Sequence, residues 1–273
     1  MDAKLSVWTA YYVELSPEDA VLELKKNGIL SAELSDEHGL MLLERGNPAE
    51  TGAQFRAFLE KEAFTMTQGH LWLSVRLCTD PDALPRLVQW LELYDAIGIR
   101  NAVLHCDSMP EAGLEEDAVY ARNLDVLRQL SEKTAHLKIR ICLENLTRIC
   151  QDVNHLVWLV DQLPQNRFGI CLDTGHLNLT DADQRNFILK AGHRLHALHI
   201  ADNEGERDQH LMPFGRGSVN FFEVVKALRE VDYDGLFNLE IPGERHAPMQ
   251  VLGCKLEYIR KCYDYLMSCE GGC

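Results

Sequence analysis

The sequence predicts a (β/α)8 barrel of the α/β class, and three observations predict it. Short apolar runs alternate with amphipathic stretches along the chain, the order expected of strands and helices in an α/β fold. Eight such units can be counted in 273 residues, the number and size of one closed barrel. The side chains best suited to chemistry sit at the ends of the apolar runs, and the strand C-termini of a barrel converge on one mouth.

The strands are read near 5–8, 30–34, 71–77, 102–106, 138–143, 168–172, 195–200 and 235–240. Several are almost unbroken apolar runs, as parallel strands covered on both faces require. Helix starts are marked at Ser16-Pro17-Glu18-Asp19 and Asn47-Pro48-Ala49-Glu50, and Asp80-Pro81-Asp82 reads the same way. Each offers a capping side chain, then Pro at the first helical position, then an acid. Helix ends are marked by Gly28, Gly98 and Gly235, each followed at once by an apolar strand. Glycine accepts the left-handed backbone that stops a helix and turns the chain back. A last helix is expected near 248–268, and residues 1–273 are read as a single barrel domain without a linker. A doubly wound open sheet is disfavoured, because Val7-Trp8-Thr9-Ala10-Tyr11-Tyr12 lacks the glycine pattern that fold places after its first strand.

The net charge of −15 repels phosphate backbones and anionic lipid, so neither nucleic acid nor a membrane is expected as the main partner. Nine cysteines form no CxxC pair. Cys106, Cys142 and Cys171 lie in apolar runs and read as reduced core thiols of a cytoplasmic protein. The tail from Cys269 to Cys273 is a weaker candidate for a metal or a disulfide. The start Met1-Asp2-Ala3-Lys4 does not read as a secretory signal. A homo-oligomer is compatible with these features.

The chemistry gathers at strand ends. Strand four ends in His105-Cys106-Asp107, strand five in Glu144-Asn145, strand six in Asp173-Thr174-Gly175-His176, strand seven in His199 and strand eight in Glu240. Carboxylates crowded into one mouth resist joint ionisation. A divalent cation relieves that, and mixed oxygen and nitrogen donors suit Mn, Co, Zn or Mg. A helix cap explains one such acid, but not ligand-type residues at four successive strand ends. His176, Asp208 and His210 form a second group, read as a further metal position or a substrate clamp. The loop after them contains Gly215-Arg216-Gly217, whose glycines allow close backbone approach to a ligand. His38, His70, His136, His155, His193, His196 and His246 have no partnered spacing and read as surface or satisfied residues. Trp8 and Trp72 fall on early strands, where they either wall a sugar pocket or pack in the core.

The segments Leu143-Glu144-Asn145, Asp173-Thr174-Gly175-His176, His199-Ile200-Ala201-Asp202, Asp208-Gln209-His210-Leu211 through Gly215-Arg216-Gly217, and Leu239-Glu240 follow one another in a telling order. In that order the chain resembles the xylose isomerase-like barrel superfamily, in its sugar phosphate isomerase and epimerase branch. The likeness covers most of the chain and is strongest from about residue 100 onward. It implies that Glu144, Asp173, His199 and Glu240 ligate one Mn, Co, Mg or Zn ion, and that His176 contacts substrate. Endonuclease IV belongs to the same superfamily and uses three zinc ions. By that resemblance, His176, Asp208 and His210 would hold a further zinc, and His105 would match one ligand of another. Leu73-Ser74-Val75-Arg76-Leu77 carries no histidine, so the trinuclear set reads as incomplete.

The expected reaction is metal-assisted isomerisation or epimerisation of a small sugar, ketose or polyol-derived substrate through an enediolate. Glu144 and Glu240 are the candidate base and acid. His176, Arg216 and His105 are candidates for substrate oxygens. Alternatives are a dehydratase working through the same enolate, an abasic-site DNA endonuclease, and a non-catalytic sugar-binding barrel.

Overall fold

The computed structural model describes residues 3–109, 112–146 and 148–269. Its strands are β1 (Lys4–Trp8), β2 (Ser31–Leu34), β3 (Thr65–His70), β4 (Asn101–Leu104), β5 (Arg140–Glu144), β6 (Phe168–Asp173), β7 (Leu195–His199) and β8 (Leu236–Leu239). They form one parallel sheet in the order β7-β6-β5-β4-β3-β2-β1-β8. Ile200, just past β7, nearly closes the barrel: its N–H donates to Asn238 at 2.7 Å and its carbonyl accepts from Glu240 at 3.1 Å. The helices are α1 (Pro17–Lys26), α2 (Asp36–Leu43), α3 (Pro48–Lys61), α4 (Ala83–Ile97), α5 (Glu116–Lys133), α6 (Val153–Asp161), α7 (Thr174–Asn178), α8 (Gln184–Ala191), α9 (Phe221–Glu230) and α10 (Met249–Ser268). None among the described residues is long and apolar enough to cross a membrane.

Two of the marked helix starts form as their sequences dictate. The Ser16 hydroxyl accepts from the Asp19 N–H at 3.1 Å, and the Asn47 amide oxygen accepts from the Glu50 N–H at 3.1 Å. The third differs: α4 begins at Ala83, and Asp80 instead accepts from the Asp82 N–H across a turn. Gly28 and Gly98 adopt positive φ where α1 and α4 end. After α3 and α9 that role falls to Ala63 and Asp232, while Gly235 lies beyond the turn at ordinary φ.

Strand three is the main correction to the sequence reading. It runs over Thr65–His70 and not 71–77. The apolar run Leu71-Trp72-Leu73 belongs to the loop leaving the barrel mouth. Ala63 sets the strand start without the glycine flag that marks β2 and β4.

The sheet divides its side chains by parity, as the two-residue strand period requires. Ala102, Leu104, Ile141, Leu143, Ile170, Leu172, Leu198, Phe237 and Leu239 belong to the main core under the helices. The alternate positions face the barrel axis. Val103, Cys142, Cys171 and Ala197 form a small separate cluster there. Ser6, Glu33, Gln68 and Asn238 share that interior: Ser6 donates to Asn238, Asn238 to Glu33, and Gln68 to the Leu198 carbonyl. Cys106, Cys142 and Cys171 are buried thiols. Within the proposed tail motif, residues 270–273 lie outside the described residues.

Candidate metal centre

The inward parity that fills the barrel waist also fills its mouth. Glu144, Asp173 and His199 are the last residues of β5, β6 and β7, His70 is the last of β3, and His105 and Glu240 follow β4 and β8 directly. Asp173 is also the N-cap of α7, where its carboxylate accepts from the His176 N–H at 2.6 Å and so swings that imidazole over the mouth. Asp208 and His210 come from the loop between β7 and α9. That loop is anchored at Asp202, which exchanges backbone hydrogen bonds with Leu211 at 3.0 and 2.8 Å.

Four ligand groups result among the described residues. Glu144, Asp173, His199 and Glu240 bring one donor atom each within 4.8 Å of one another, and so do His70, His105 and Glu144, then Glu144, Cys171 and His199, and finally His176, Asp208 and His210. Glu144 is common to the first three and is almost wholly buried. It lies 2.8 Å from His105 Nε2, 3.5 Å from His70 Nε2, 3.0 Å from His176 Nδ1 and 3.4 Å from His199 Nδ1. His210 Nε2 and His176 Nε2 lie 3.1 and 3.3 Å from one oxygen of Asp208.

The donor set fits a cation. Asp173 Oδ2, His176 Nδ1 and His199 Nδ1 are buried without a hydrogen-bond partner. A buried polar atom without a partner costs free energy, and Asp173 and His199 share one four-residue group, which fits a cation that satisfies both. Three imidazoles are also turned by a partner on their far nitrogen. His70 Nδ1 lies 2.7 Å from the Leu71 carbonyl, His210 Nδ1 lies 2.7 Å from the Glu240 carbonyl, and His199 Nε2 lies 3.0 Å from Glu33. Such contacts orient metal-ligating histidines and select their tautomer.

The electrostatics show how strongly the groups feel one another. Burial alone would lower His70, but contact with Glu144 overcomes it and raises His70 to about 9. Burial likewise opposes charge on His210, and Asp208 reverses that, to about 10. For Glu240, burial pushes upward but the His199 charge wins and holds it at about 2. Glu144 is held well below the usual range against its burial, chiefly by the charges of His199 and His105. Burial lifts Asp173 to about 7. His105 is held low by burial, reinforced by charge on His70 and His176, although Glu144 opposes this. A divalent cation can take over the positive charge that the imidazoles otherwise supply.

The structure thus brings together Glu144, Asp173, His199, Glu240, His105, His176, Asp208 and His210. It does not bring Arg216 to them: that side chain is 63% exposed and points to Glu204 at 3.6 Å. Two residues were missed. His70 is not a bland surface residue, and with it the group of His70, His105 and Glu144 is complete, contrary to the reading of strand three. Glu33, buried on β2, has no spacing signal at all. The sign of His70 was its place in Met66-Thr67-Gln68-Gly69-His70, where the inward positions of an active barrel are polar.

Residues 21–262 match the sequence profile of the xylose isomerase-like TIM barrel family. The chain belongs to that family. Proteins similar to it include a D-psicose 3-epimerase of Enterocloster bolteae, 28% identical over 202 residues, or 68% of this chain and 65% of that one. A probable endonuclease 4 of Mycoplasma pneumoniae is 25% identical over 197 residues, covering 65% of this chain and 67% of that one. The chain spans about half to two thirds of the length of the curated relatives it matches. A D-psicose 3-epimerase structure with D-tagatose from Clostridium cellulolyticum superposes with a TM-score of 0.79 over 97% of this chain and 100% of that one, at 18% identity. At that identity the likeness speaks for the fold.

Proposed function

We propose that this protein is a divalent-metal-dependent isomerase or epimerase acting on a small sugar, ketose or polyol-derived substrate. The observation that carries the reading is the group Glu144, Asp173, His199 and Glu240, buried at four adjacent strand ends with two of its ligand atoms lacking hydrogen-bond partners. The similarity to a D-psicose 3-epimerase supports the sugar class. Buried thiols support a reducing, cytoplasmic setting.

Those four residues would hold one Mn, Co, Zn or Mg ion. Such an ion supplies Lewis-acid polarisation of a carbonyl and its neighbouring hydroxyl. The protein's own groups handle the proton. Glu144 and Glu240 are both held below the usual carboxylate range, so each stands ionised and able to accept one. One removes the proton from the carbon beside the carbonyl, which gives the enediolate. The other, first protonated from solvent, delivers that proton to the opposite face, and the configuration at that carbon inverts. His176 and His105, at the rim of the mouth, hold substrate oxygens. Arg216 has no part in this scheme.

Solvent deuterium tests the mechanism. Metal-loaded protein turning over a ketose in D2O should place deuterium at the inverted carbon, and Glu144→Gln should abolish both. Turnover without incorporation would sink the proton-transfer scheme.

A second reading has its own observation. His70 completes a ligand set with His105 and Glu144, and His176, Asp208 and His210 form another, so all three positions expected from the likeness to endonuclease IV have ligands. This supports cleavage of a phosphodiester at abasic sites, against which the net charge of −15 weighs. Elemental analysis separates the two readings: one ion per chain favours the isomerase. Three ions, with nicking of abasic duplex DNA, favour the nuclease.

A further inference from the structure

The barrel interior holds a carboxyl group that the proposed chemistry does not use. Glu33 lies on β2, one layer beneath the mouth, and is completely buried. An ionised carboxylate in such a place is costly unless its partners hold it well. One oxygen lies 3.0 Å from His199 Nε2. The other accepts from the Asn238 amide, whose own oxygen accepts from the Ser6 hydroxyl at 2.9 Å. This chain fixes which end of Asn238 faces Glu33, and so fixes the rotamer of the carboxylate.

The consequence falls on the imidazole. With Nε2–H donated to Glu33, the lone pair of His199 must sit on Nδ1. Nδ1 is the buried nitrogen without a hydrogen-bond partner, 3.1 Å from Glu240 and 3.4 Å from Glu144. His70 and His210 are turned in the same manner, but by the neutral carbonyls of Leu71 and Glu240. His199 has a carboxyl group behind it instead. A carboxylate on the far nitrogen makes an imidazole a stronger donor to a metal.

We propose that Glu33 is a positioning residue that binds no metal itself. It locks the His199 tautomer and strengthens His199 as a ligand, so that the four-residue group becomes the tightest cation position in the mouth. This rests on the metal-centre reading above. Asn238 and Ser6 are its supports.

Zinc and cobalt binding test it without any substrate. Glu33→Gln keeps an acceptor for His199 and removes the charge, and it also loses the bond from the Asn238 amide, since its own amide nitrogen takes that oxygen's place. Competition against a chelating indicator should show the Kd for Zn2+ at the tightest site rising about tenfold or more, the range for loss of such a partner. The visible spectrum of the Co2+-loaded protein should shift, while the melting of the metal-free variant stays within the range of other conservative interior substitutions. In zinc-loaded wild-type protein, 15N NMR should show His199 bound through Nδ1 with a protected Nε2–H. That measurement stands even if the variant does not fold. An unchanged Kd and cobalt spectrum in Glu33→Gln, or His199 bound through Nε2, would overturn the role of Glu33 and leave the metal centre intact. A wild-type chain that takes up no zinc overturns the metal reading, and this role with it.

Discussion

Replacing Glu144 with Gln in metal-free protein gives the sharpest test of how the mouth is held together. The carboxylate touches four imidazoles, and it is the main reason His70 is raised from 6.5 to about 9 despite full burial. A group whose pKa rises on folding adds stability that is complete below its unfolded value. That stability is lost as the pH climbs through the folded value. For His70 the window runs from about 6.5 to about 9. Each pKa unit is worth about 1.4 kcal/mol, so the pair contributes roughly 3 kcal/mol below the window. In a chain of this size that corresponds to a melting shift on the order of 5–10 °C. Calorimetry in excess chelator should find Glu144→Gln melting lower than wild type by that amount at pH 6. By pH 10 the gap should narrow by about that amount, because His70 is then neutral while His176 and His199, raised further, still face the carboxylate with their charge. An equal gap at both pH values would refute the ion-pair account and leave only packing.

Three further outcomes follow from individual contacts. Asn145→Ala removes both bonds that clamp the end of β6, where the Asn145 amide donates to the Asp173 carbonyl at 3.0 Å and accepts from the Asp173 N–H at 2.7 Å. Leaving that buried N–H unpaired should cost about 1–3 kcal/mol in denaturant unfolding and weaken metal binding with it. Gly217→Ala would drive a Cβ into the Asp202 carboxylate, which anchors the loop by accepting from the Asn203 and Val219 N–H groups. Metal uptake at His176, Asp208 and His210 should weaken by elemental analysis, while the four-residue group stays filled. Arg216→Ala should leave KM and kcat within about twofold, since an exposed pair such as that with Glu204 is worth about 1 kcal/mol at most. A KM rise of tenfold would show that the loop folds inward over substrate.

The parts of this fold that could be read from sequence are those where the strand signal and the site signal agree. Strands five to eight combine apolar outward residues with a ligand at the last inward position, so β5 to β8 and the group Glu144, Asp173, His199 and Glu240 were found together. Strand three breaks that agreement. Its inward residues are Gln68 and His70, its turn residue is Ala63, and the stronger apolar run lies one step later in a loop. Hydrophobic patterning therefore slid the strand past its own histidine. Glu33 escaped for another reason. Its meaning comes from His199, 166 positions away in sequence, and no local period records such a contact. Arg216 was drawn in by its glycine neighbours, but the spacing says nothing about which way a loop side chain turns.

The parity of the sheet has a consequence for how such a barrel can diverge. Outward side chains of β4 to β8 carry the packing under the helices, and inward ones carry ligands and their supports. The two sets occupy alternate positions on the same strands, so a substitution at one inward position retunes a ligand while leaving the hydrophobic layer intact. A laboratory selection for a new substrate or metal should therefore accumulate changes at every second residue of these strands, and in the loops just beyond them. Under selection for heat resistance alone, the same strands should change at the intervening residues instead.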